Sequence, residues 1–272
     1  MPMASTNDTD HVQFCRPRHL PGVELVSVAY RDRQFPEHHH DEFVIGAITA
    51  GAEMLTVGGR SHLADRGSVL RLRPGEAHAN ATHGAETLRY EVLYVPVAVF
   101  DAIVPAPRPL GFASPVVRDA GLYKTVRAVH RTLRSRTADR LEQESALGAL
   151  AGAIGLEPAD AEPHAEHSPI AGRVRDYIDA HLADDFGLEQ LSQAIGASPF
   201  HLVRVFKRSV GLSPLAYRNQ RRLAEARKRL GEGQAAVQVA LDLGYADQSH
   251  FIRQFQRVVG TSPGRYAREV AG

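Results

Sequence analysis

The chain has 272 residues, of which 43% are hydrophobic and 23% charged, and this length accommodates one or two domains. Its single cysteine, Cys15, excludes an intrachain disulfide framework and a zinc site built from cysteines. The net charge of +1 hides an asymmetry: residues 170–272 carry 15 Lys and Arg against 10 Asp and Glu, and residues 1–169 carry 17 against 21. The basic end suits a polyanionic partner.

The chain begins with a polar segment, MPMASTNDTD, and we predict a disordered tail over residues 1–10. This segment has neither the basic region nor the apolar region of a secretory signal. No apolar run approaches the roughly 18–20 residues that cross a bilayer. Together with the cysteine content, these features predict a cytoplasmic protein that does not bind membranes.

Residues 11–115 are predicted to form a β domain. Short apolar runs rich in Val, Leu, Ile and Tyr are interrupted by Gly, Pro and Asp, which is typical of a sandwich or barrel. The runs are VELVSVAY, EFVIGAIT, EMLTVGG, SVLRLRPGE and LRYEVLYVPV. Gly58 and Gly59 suit a tight hairpin turn.

Residues 116–156 change to helical periodicity, and we predict two helices there. The apolar positions that carry the period are Leu122, Val126, Val129, Leu133, Leu141, Leu147, Leu150 and Ile154. The next segment, 157–169, has three prolines and almost no apolar residues, so it is predicted to be an interdomain linker. Residues 170–272 have a helical pattern throughout.

The helical end contains an internal repeat. SPFHLVRVFKRSVGLSPLAY (198–217) and DQSHFIRQFQRVVGTSPGRY (247–266) are identical at nine of twenty aligned positions, 49 residues apart. Each copy predicts a short helix, a turn and a second helix with an N-cap (Ser198 or Asp247) and a terminating glycine. An apolar stripe faces inward and a basic stripe faces outward, as in a helix-turn-helix unit. His201 and His250 lie beside the inward stripe, where we expect a structural role or a phosphate contact.

Between the copies, Ser213, Pro214 and Gly231 delimit a predicted helix of about 17 residues, roughly 25 Å long at about 1.5 Å per residue. This length predicts two recognition helices in successive major-groove segments of one duplex, about 34 Å apart.

The outward residue types suit the edges of DNA bases and the phosphates. Arginine forks to guanine, glutamine pairs with adenine, and apolar groups meet the thymine methyl. Arg204, Arg253 and Gln248 are the candidate base readers, and Val203 and Ile252 are the candidates for contact with thymine methyls. The candidates for phosphate contact are Lys207, Arg208, Arg218, Arg222 and Arg257. The candidate DNA-contacting residues are Pro199, Phe200, Val203, Arg204, Lys207, Arg208, Gln248, Ser249, Ile252, Arg253 and Arg257.

These motifs resemble the DNA-binding domain of the AraC/XylS family of bacterial transcription regulators, over about residues 170–268. The resemblance rests on the two repeats, on the turn Gly244, Tyr245, Asp247, Gln248 and Ser249, and on the closing pattern Gly-x-Ser-Pro-x-x-Tyr at 260–266. It implies an all-helical domain with two helix-turn-helix units joined by one long helix.

The front half is similar, less specifically, to the cupin-type domain that is often fused to this family, through FPEHHHDEFVIGAITAG and SVLRLRPGEAHAN. The resemblance implies a β-barrel that binds an effector, followed by helices that dimerise. The predicted fold is therefore α+β multidomain, with a cupin-like barrel and following helices before an all-α domain with two helix-turn-helix units.

The barrel's histidines allow two interpretations. His38, His40 and His78 are the residue types of a metal site. The metal-cupin pattern, however, needs a glutamate where this chain has Val44 and Ile45, since Glu42 comes too early, and Pro74-Gly75 alters its second half. An organic effector and no metal cofactor is the favoured prediction. The candidate effector-binding residues are His38, His40, Glu42, Arg71, Arg73, His78 and Tyr94, with His39 expected on the opposite face.

The leading hypothesis is a homodimeric transcription regulator, with activation favoured by family analogy. Its DNA binding is controlled by a small molecule in the barrel, and its partners are double-stranded DNA, the effector and RNA polymerase. We expect no catalytic residue. The alternative is a metal-dependent cupin enzyme fused to a DNA-binding tail. A DNA-repair alkyl acceptor is excluded because it requires several cysteines.

Overall fold

The computed structural model describes residues 10–103, 110–155, 157–158 and 168–270. Within it the chain divides into two compact units, one ending at Asp160 and the other beginning at Ala161. Except for Asp10, the predicted tail 1–10 lies outside the described residues, as does most of the predicted linker 157–169.

The first unit contains two antiparallel sheets. The six-stranded sheet has the order β1-β2-β9-β4-β7-β11 and the four-stranded sheet the order β3-β8-β5-β6. A separate two-stranded pairing joins β10 and β12. The strands are β1 His11–Cys15, β2 Glu24–Tyr30, β3 Gln34–His38, β4 Glu42–Ala50, β5 Ala52–Val57, β6 Arg60–Asp65, β7 Val69–Leu72, β8 His78–His83, β9 Leu88–Pro96, β10 Leu110–Gly111, β11 Val116–Val117 and β12 Glu157–Pro158.

The β5–β6 hairpin confirms the predicted turn. Val57 pairs with Arg60 across Gly58 and Gly59, and both glycines have positive φ, at 56° and 76°. Positive φ at two successive turn residues is the left-handed geometry that glycine adopts without steric cost. The dipeptide therefore fixes the register of the whole hairpin.

Strand register separates the two faces of the large sheet. Leu25, Leu93 and Ile45 lie opposite one another in β2, β9 and β4, so they share one face. That face is buried against helices α2 (Ala120–Arg134) and α3 (Arg140–Ala153). The opposite face carries Tyr94 and Val44 and turns toward the four-stranded sheet.

Helices α2 and α3 pack as their periodicity predicts, with one exception. Leu122, Val126, Val129 and Leu133 are buried on α2, and Leu147, Leu150 and Ile154 are buried at α3 and its C-terminus. Each such side chain stabilises the fold by about 1.5–3 kcal/mol. Leu141 was predicted inward but is 72% exposed, because at about 3.6 residues per turn it lies off the face that carries Leu147, and Gln143 takes the buried position in that turn. The seven-residue helix α1 (Val97–Ile103) adds Phe100 to this core.

A buried histidine, His130 of α2, couples this packing to pH. Burial lowers the pKa of His130 to about 4 from 6.5, with Glu91 opposing the shift and Arg134 and Arg127 adding to it. Because the unfolded chain binds the proton more readily, the stability that this group contributes above pH 6.5 is lost as the pH falls toward 4.

We therefore expect His130→Asn to flatten the fall in melting temperature between pH 7 and pH 4.5, measured by thermal unfolding. The exposed histidine His83 supplies the control, since His83→Asn should leave the wild-type slope unchanged. Identical slopes for wild type and His130→Asn would contradict the assignment.

The second unit is helical over its described residues. Its helices are α4 Pro169–Ala180, α5 Leu188–Ile195, α6 Pro199–Val210, α7 Pro214–Gly231, α8 Ala236–Asp242, α9 Gln248–Val259 and α10 Pro263–Val270. A first core gathers the inward side chains of α4, α5 and α6, among them Leu202 and Phe206. In α9, Phe251 and Phe255 are fully buried and contact each other's rings.

The β-rich first unit and the helical second unit confirm the predicted fold class. Helix α7 has 18 residues and begins at Pro214, where Ser213 accepts a hydrogen bond from the Ala216 amide at 3.2 Å. Among the described helices, none combines the length and apolar character that a bilayer crossing requires.

Candidate functional sites

Helices α6 and α9 are built alike at both ends. The Ser198 side chain accepts from the amide of His201 at the start of α6, and Asp247 accepts from the amide of His250 at the start of α9. Gly211 and Gly260 end the helices in the left-handed conformation, with φ of 80° and 84°. The repeated sequence therefore specifies two helices of twelve residues, each with a side-chain N-cap, a glycine C-cap and equivalent residues on the buried face.

The predicted DNA-contacting side chains of α6 and α9 are accessible. Phe200 is 79% exposed, and the Arg204 guanidinium lies 5.9 Å from the centre of its ring. Val203 and Ile252 are half-buried, and Val203 also packs against the core of the first helix-turn-helix. The exposed members of the predicted set are Pro199, Phe200, Arg204, Lys207, Arg208, Gln248, Ser249, Arg253 and Arg257.

Arg222 has a structural role, and its prediction as a phosphate contact was wrong. Its side chain is 7% exposed and donates to the carbonyls of Leu182 at 2.7 Å, Asp184 at 3.1 Å and Gly244 at 3.2 Å. The sequence pattern misled because α7 presents this arginine inward, to two loops. Arg222 thus joins the segment after α4 to the turn before α9.

The turn before α9 requires glycine at position 244. Gly244 has φ of +69°, and a Cβ there would lie 1.9 Å from the Ala183 carbonyl oxygen. Close approach of two backbones is therefore built into the Gly-Tyr turn. Tyr245 is buried, and its ring contacts Phe251 and His250.

Arg218 is only partly available for a phosphate. Its guanidinium stacks 4.7 Å from the ring centre of Phe186 and donates to the Phe186 carbonyl at 3.0 Å. It also lines a cleft of about 460 Å³, together with His250 and Gln254 of α9. Arg218 is half-buried and contacts both the ring and the carbonyl of Phe186, whereas Arg204 and Arg253 are exposed.

In the first unit, the three predicted histidines are brought together. One ring nitrogen from each of His38, His40 and His78 lies within 4.8 Å of the corresponding atoms of the other two. His38 and His78 are paired across β3 and β8, and His40 follows β3 in the connection to β4. The ring of His40 lies 5.0 Å from that of Tyr94. His39 is buried outside this cluster, with its Nδ1 4.0 Å from Asp41.

Backbone carbonyls orient two of the three rings. Nδ1 of His38 donates to the Pro36 carbonyl at 2.8 Å, and Nδ1 of His78 donates to the Glu76 carbonyl at 2.9 Å. Because a carbonyl only accepts, Nδ1 carries the proton in each neutral ring. Burial lowers the pKa of His78 to about 3 and also lowers that of His38, so both rings are neutral at pH 7.

Arg71 does not belong to the effector-facing surface, contrary to its prediction. It pairs with Ile45, whose face packs on the helices, whereas the neighbouring Leu72 pairs with Val44 on the face of Tyr94. Its guanidinium donates to the carbonyls of Ile154 at 2.6 Å and Ser114 at 3.1 Å. Arg71 therefore anchors the helical segment to β7.

Of the other predicted pocket residues, Glu42 begins β4 on the same face as Tyr94. The Arg73 guanidinium forms an ion pair with Glu76 at 3.4 Å, within the loop that leads to His78. Arg73 therefore supports the loop beside the histidines.

A polar group beside the histidines was not predicted from the sequence. Glu53 of β5 is 1% exposed and accepts a hydrogen bond from Asn80 at 3.2 Å. Burial raises the pKa of its carboxyl to about 7. The alternation in HANATH is a signal that was available, because it places His78, Asn80 and Thr82 on one face of β8 and small alanines on the other. Tyr30 and Tyr90 add contacting rings to this interior.

Two family models match the chain. One, described as an AraC-like ligand binding domain, covers residues 20–151, and the other, a helix-turn-helix domain, covers residues 191–269. The two matches together span most of the chain and coincide with the two described units.

Curated transcription regulators also match the chain. The uncharacterized HTH-type transcriptional regulator YbfI of Bacillus subtilis is 27% identical over 251 residues, covering 90% of each chain. The arabinose operon regulatory protein of Salmonella typhimurium is 33% identical over 105 residues, and this match spans 37% of each chain.

Among solved structures, unsaturated fatty acid-bound ToxT of Vibrio cholerae has a TM-score of 0.54 at 12% identity, covering 97% of both chains. This likeness shows the fold alone. The family matches agree with the two capped helices that expose arginines and with the β-rich unit that has a polar interior. The chain therefore belongs to the AraC/XylS family of transcription regulators, with a ligand-binding domain and a helix-turn-helix DNA-binding domain.

Proposed function

We propose that the second unit binds promoter DNA by placing α6 and α9 in successive segments of the major groove. The observation that carries this proposal is the matched exposure of Arg204 and Arg253, at equivalent positions of two helices with side-chain N-caps and glycine C-caps. The 18 residues of α7 span about 27 Å at about 1.5 Å each. That length is compatible with half-elements one turn of B-DNA apart.

Base recognition divides between the two helices. Arg204 and Arg253 read guanine, and Gln248 reads adenine at the start of α9. The exposed ring of Phe200 meets a thymine methyl beside the base that Arg204 contacts. The phosphate contacts come from Lys207, Arg208, Arg257 and the partly available Arg218.

The first unit holds a small-molecule effector in its polar interior. His38, His40, His78, Glu42 and Tyr94 form the binding surface. The residues found in the structure that add to this surface are Glu53, Asn80, Tyr30 and Tyr90. ToxT is bound to an unsaturated fatty acid in its crystal structure. The charged and hydrogen-bonding groups here favour a more polar ligand, since a buried carboxyl and imidazoles need polar partners.

The effector regulates DNA binding because its affinity differs between the conformations of the protein that bind DNA and those that do not.

We assign the regions as a tail at 1–10, an effector barrel at 11–115, a dimerisation segment at 116–156, a linker at 157–169 and the DNA-binding domain at 170–272. The protein acts in the cytoplasm as a homodimer that contacts RNA polymerase and activates transcription.

The protein is a regulator and has no catalytic activity. YbfI, which matches 90% of the chain, is described as an HTH-type transcriptional regulator. The only cysteine of the chain, Cys15, is half-buried, and burial raises the pKa of its thiol. A protonated thiol is a poor nucleophile, so alkyl transfer to cysteine is not supported.

Selection of binding sites from random duplexes by the full chain tests the proposal. We expect enrichment of two short elements whose centres lie about 10–10.5 base pairs apart. Affinity for that site should fall steeply between 50 mM and 200 mM salt, because phosphate contacts release counterions. Binding without sequence preference would refute the proposed function.

A further inference from the structure

Three imidazoles in the first unit have the spacing of a metal-binding set. Their ligand atoms lie within 4.8 Å of one another, and the ring centres of His38 and His78 are 4.2 Å apart. The ring centre of His40 lies 5.1 Å from that of His38 and 5.3 Å from that of His78. Side-chain rotations would place one nitrogen of each ring about 2.0–2.1 Å from a shared zinc ion, which is the length of a zinc–imidazole bond.

The backbone around these histidines holds the set in place. His38 and His78 are fixed as a cross-strand pair by β3 and β8. The His40 carbonyl accepts from the Gly75 amide at 2.8 Å, which ties the segment carrying His40 to the loop that leads to His78. The three rings thus come from two segments that are hydrogen-bonded to each other, so the site is largely formed before a ligand arrives.

The tautomers also suit metal binding. The Pro36 and Glu76 carbonyls hold the protons of His38 and His78 on Nδ1, which leaves each Nε2 with a free lone pair. Among the described residues, no hydrogen bond engages Nε2 of either ring. Metal-ligating histidines characteristically donate their other ring N–H to a carbonyl or carboxylate, which fixes the ring and raises its basicity as a ligand.

We propose that His38, His40 and His78 bind one divalent transition-metal ion per chain, Zn²⁺ or a neighbouring first-row ion. Imidazole ligands select these ions over Mg²⁺ and Ca²⁺, which prefer oxygen. The inference rests on the proposed function of this domain as an effector site, in which the ion contributes a fourth, open position for a donor atom of the effector.

The absent glutamate does not preclude this site. The sequence pattern favours an organic effector because Val44 and Ile45 stand where the metal-cupin pattern has a carboxylate, and the structure buries both side chains. Three histidine ligands suffice for a zinc site with a vacant position. The structure adds the oriented Nδ1 atoms, which the sequence pattern did not reveal.

Metal content of the full, untagged chain tests the proposal. The protein is treated with EDTA, dialysed, equilibrated with Zn²⁺ or Co²⁺, desalted and subjected to elemental analysis. We expect one ion per chain, visible absorption from bound Co²⁺ and a higher melting temperature with Zn²⁺. His78→Gln and His40→Gln should each weaken binding by more than about 100-fold, since even outer-shell changes cost 10–100-fold.

His83→Gln is the matched control, because His83 is exposed at the end of the same strand, β8. It should retain one ion per chain. If His78→Gln does not fold, as judged by circular dichroism, His40→Gln decides. Wild-type protein without stoichiometric metal, or variants that bind as wild type does, would overturn the proposal. Gel shifts on the same preparation separate the two hypotheses. If no metal is bound and site-specific DNA binding persists, the metal site is refuted and the proposed function stands.

Discussion

The double substitution Arg204→Ala with Arg253→Ala should lower affinity for the selected DNA site by at least about 30-fold. A bidentate arginine–guanine contact contributes about 1–3 kcal/mol of discrimination, and the variant removes one such contact from each recognition helix. Both side chains are exposed, so the fold should be retained. Quantitative gel shifts on specific and scrambled duplexes measure the effect.

The matched control changes the same charge elsewhere in the unit. Arg173 and Arg175 are exposed on α4, and their double alanine variant removes two positive charges without altering either recognition helix. We expect less than a threefold change in specific affinity for this control. Equal losses of specific affinity in the two double variants would show that Arg204 and Arg253 contribute only through their positive charge and do not read bases.

Arg222→Ala should destabilise the second unit by about 3 kcal/mol or more. The substitution removes three hydrogen bonds and leaves the carbonyls of Leu182, Asp184 and Gly244 without this donor. Arg222→Lys should not restore stability, because one ammonium group cannot reproduce a planar fork that reaches two loops. Chemical denaturation of the full chain, followed by helical circular dichroism, measures the loss.

Arg221 provides the comparison for this prediction. Arg221 lies on the same helix as Arg222 and forms a partly exposed ion pair at 2.9 Å with Asp179 of α4, and surface pairs contribute about 0–1 kcal/mol. Arg221→Ala should therefore be nearly neutral. A small effect of Arg222→Ala, similar to that of Arg221→Ala, would show that Arg222 is not the connection between the two loops.

The helical half was predictable in detail because its signals are local. Ser198, Asp247 and Gly260 act at the helix ends through the neighbouring backbone, and the spacing of the apolar residues fixes which face is buried. Arg222 was misassigned because the sequence does not distinguish an arginine that binds phosphate from one that binds carbonyl groups of its own chain. That distinction depends on loops brought close by the tertiary fold.

The β-rich half was predictable in class and only partly in its site. Runs of buried residues identified β2, β4, β5, β7 and β9, whereas the more polar strands β1, β3, β6 and β8 lacked such runs. The histidine cluster combines a cross-strand pair, His38 and His78, with His40 from the connection after β3, and strand alternation does not fix the position of that connection. The face that Arg71 occupies depends on its pairing with Ile45. Glu53 was missed because its burial is set by pairing across three strands.

Half-site spacing is the most direct measurement of the central claim, that one chain positions two recognition helices for successive grooves of one duplex. Affinity is measured for the selected site and for a site with five base pairs inserted between its elements. We predict that the insertion reduces affinity to the level of a single element, because half a helical turn places the second element on the opposite side of the duplex. Equal affinity for both sites would contradict the account.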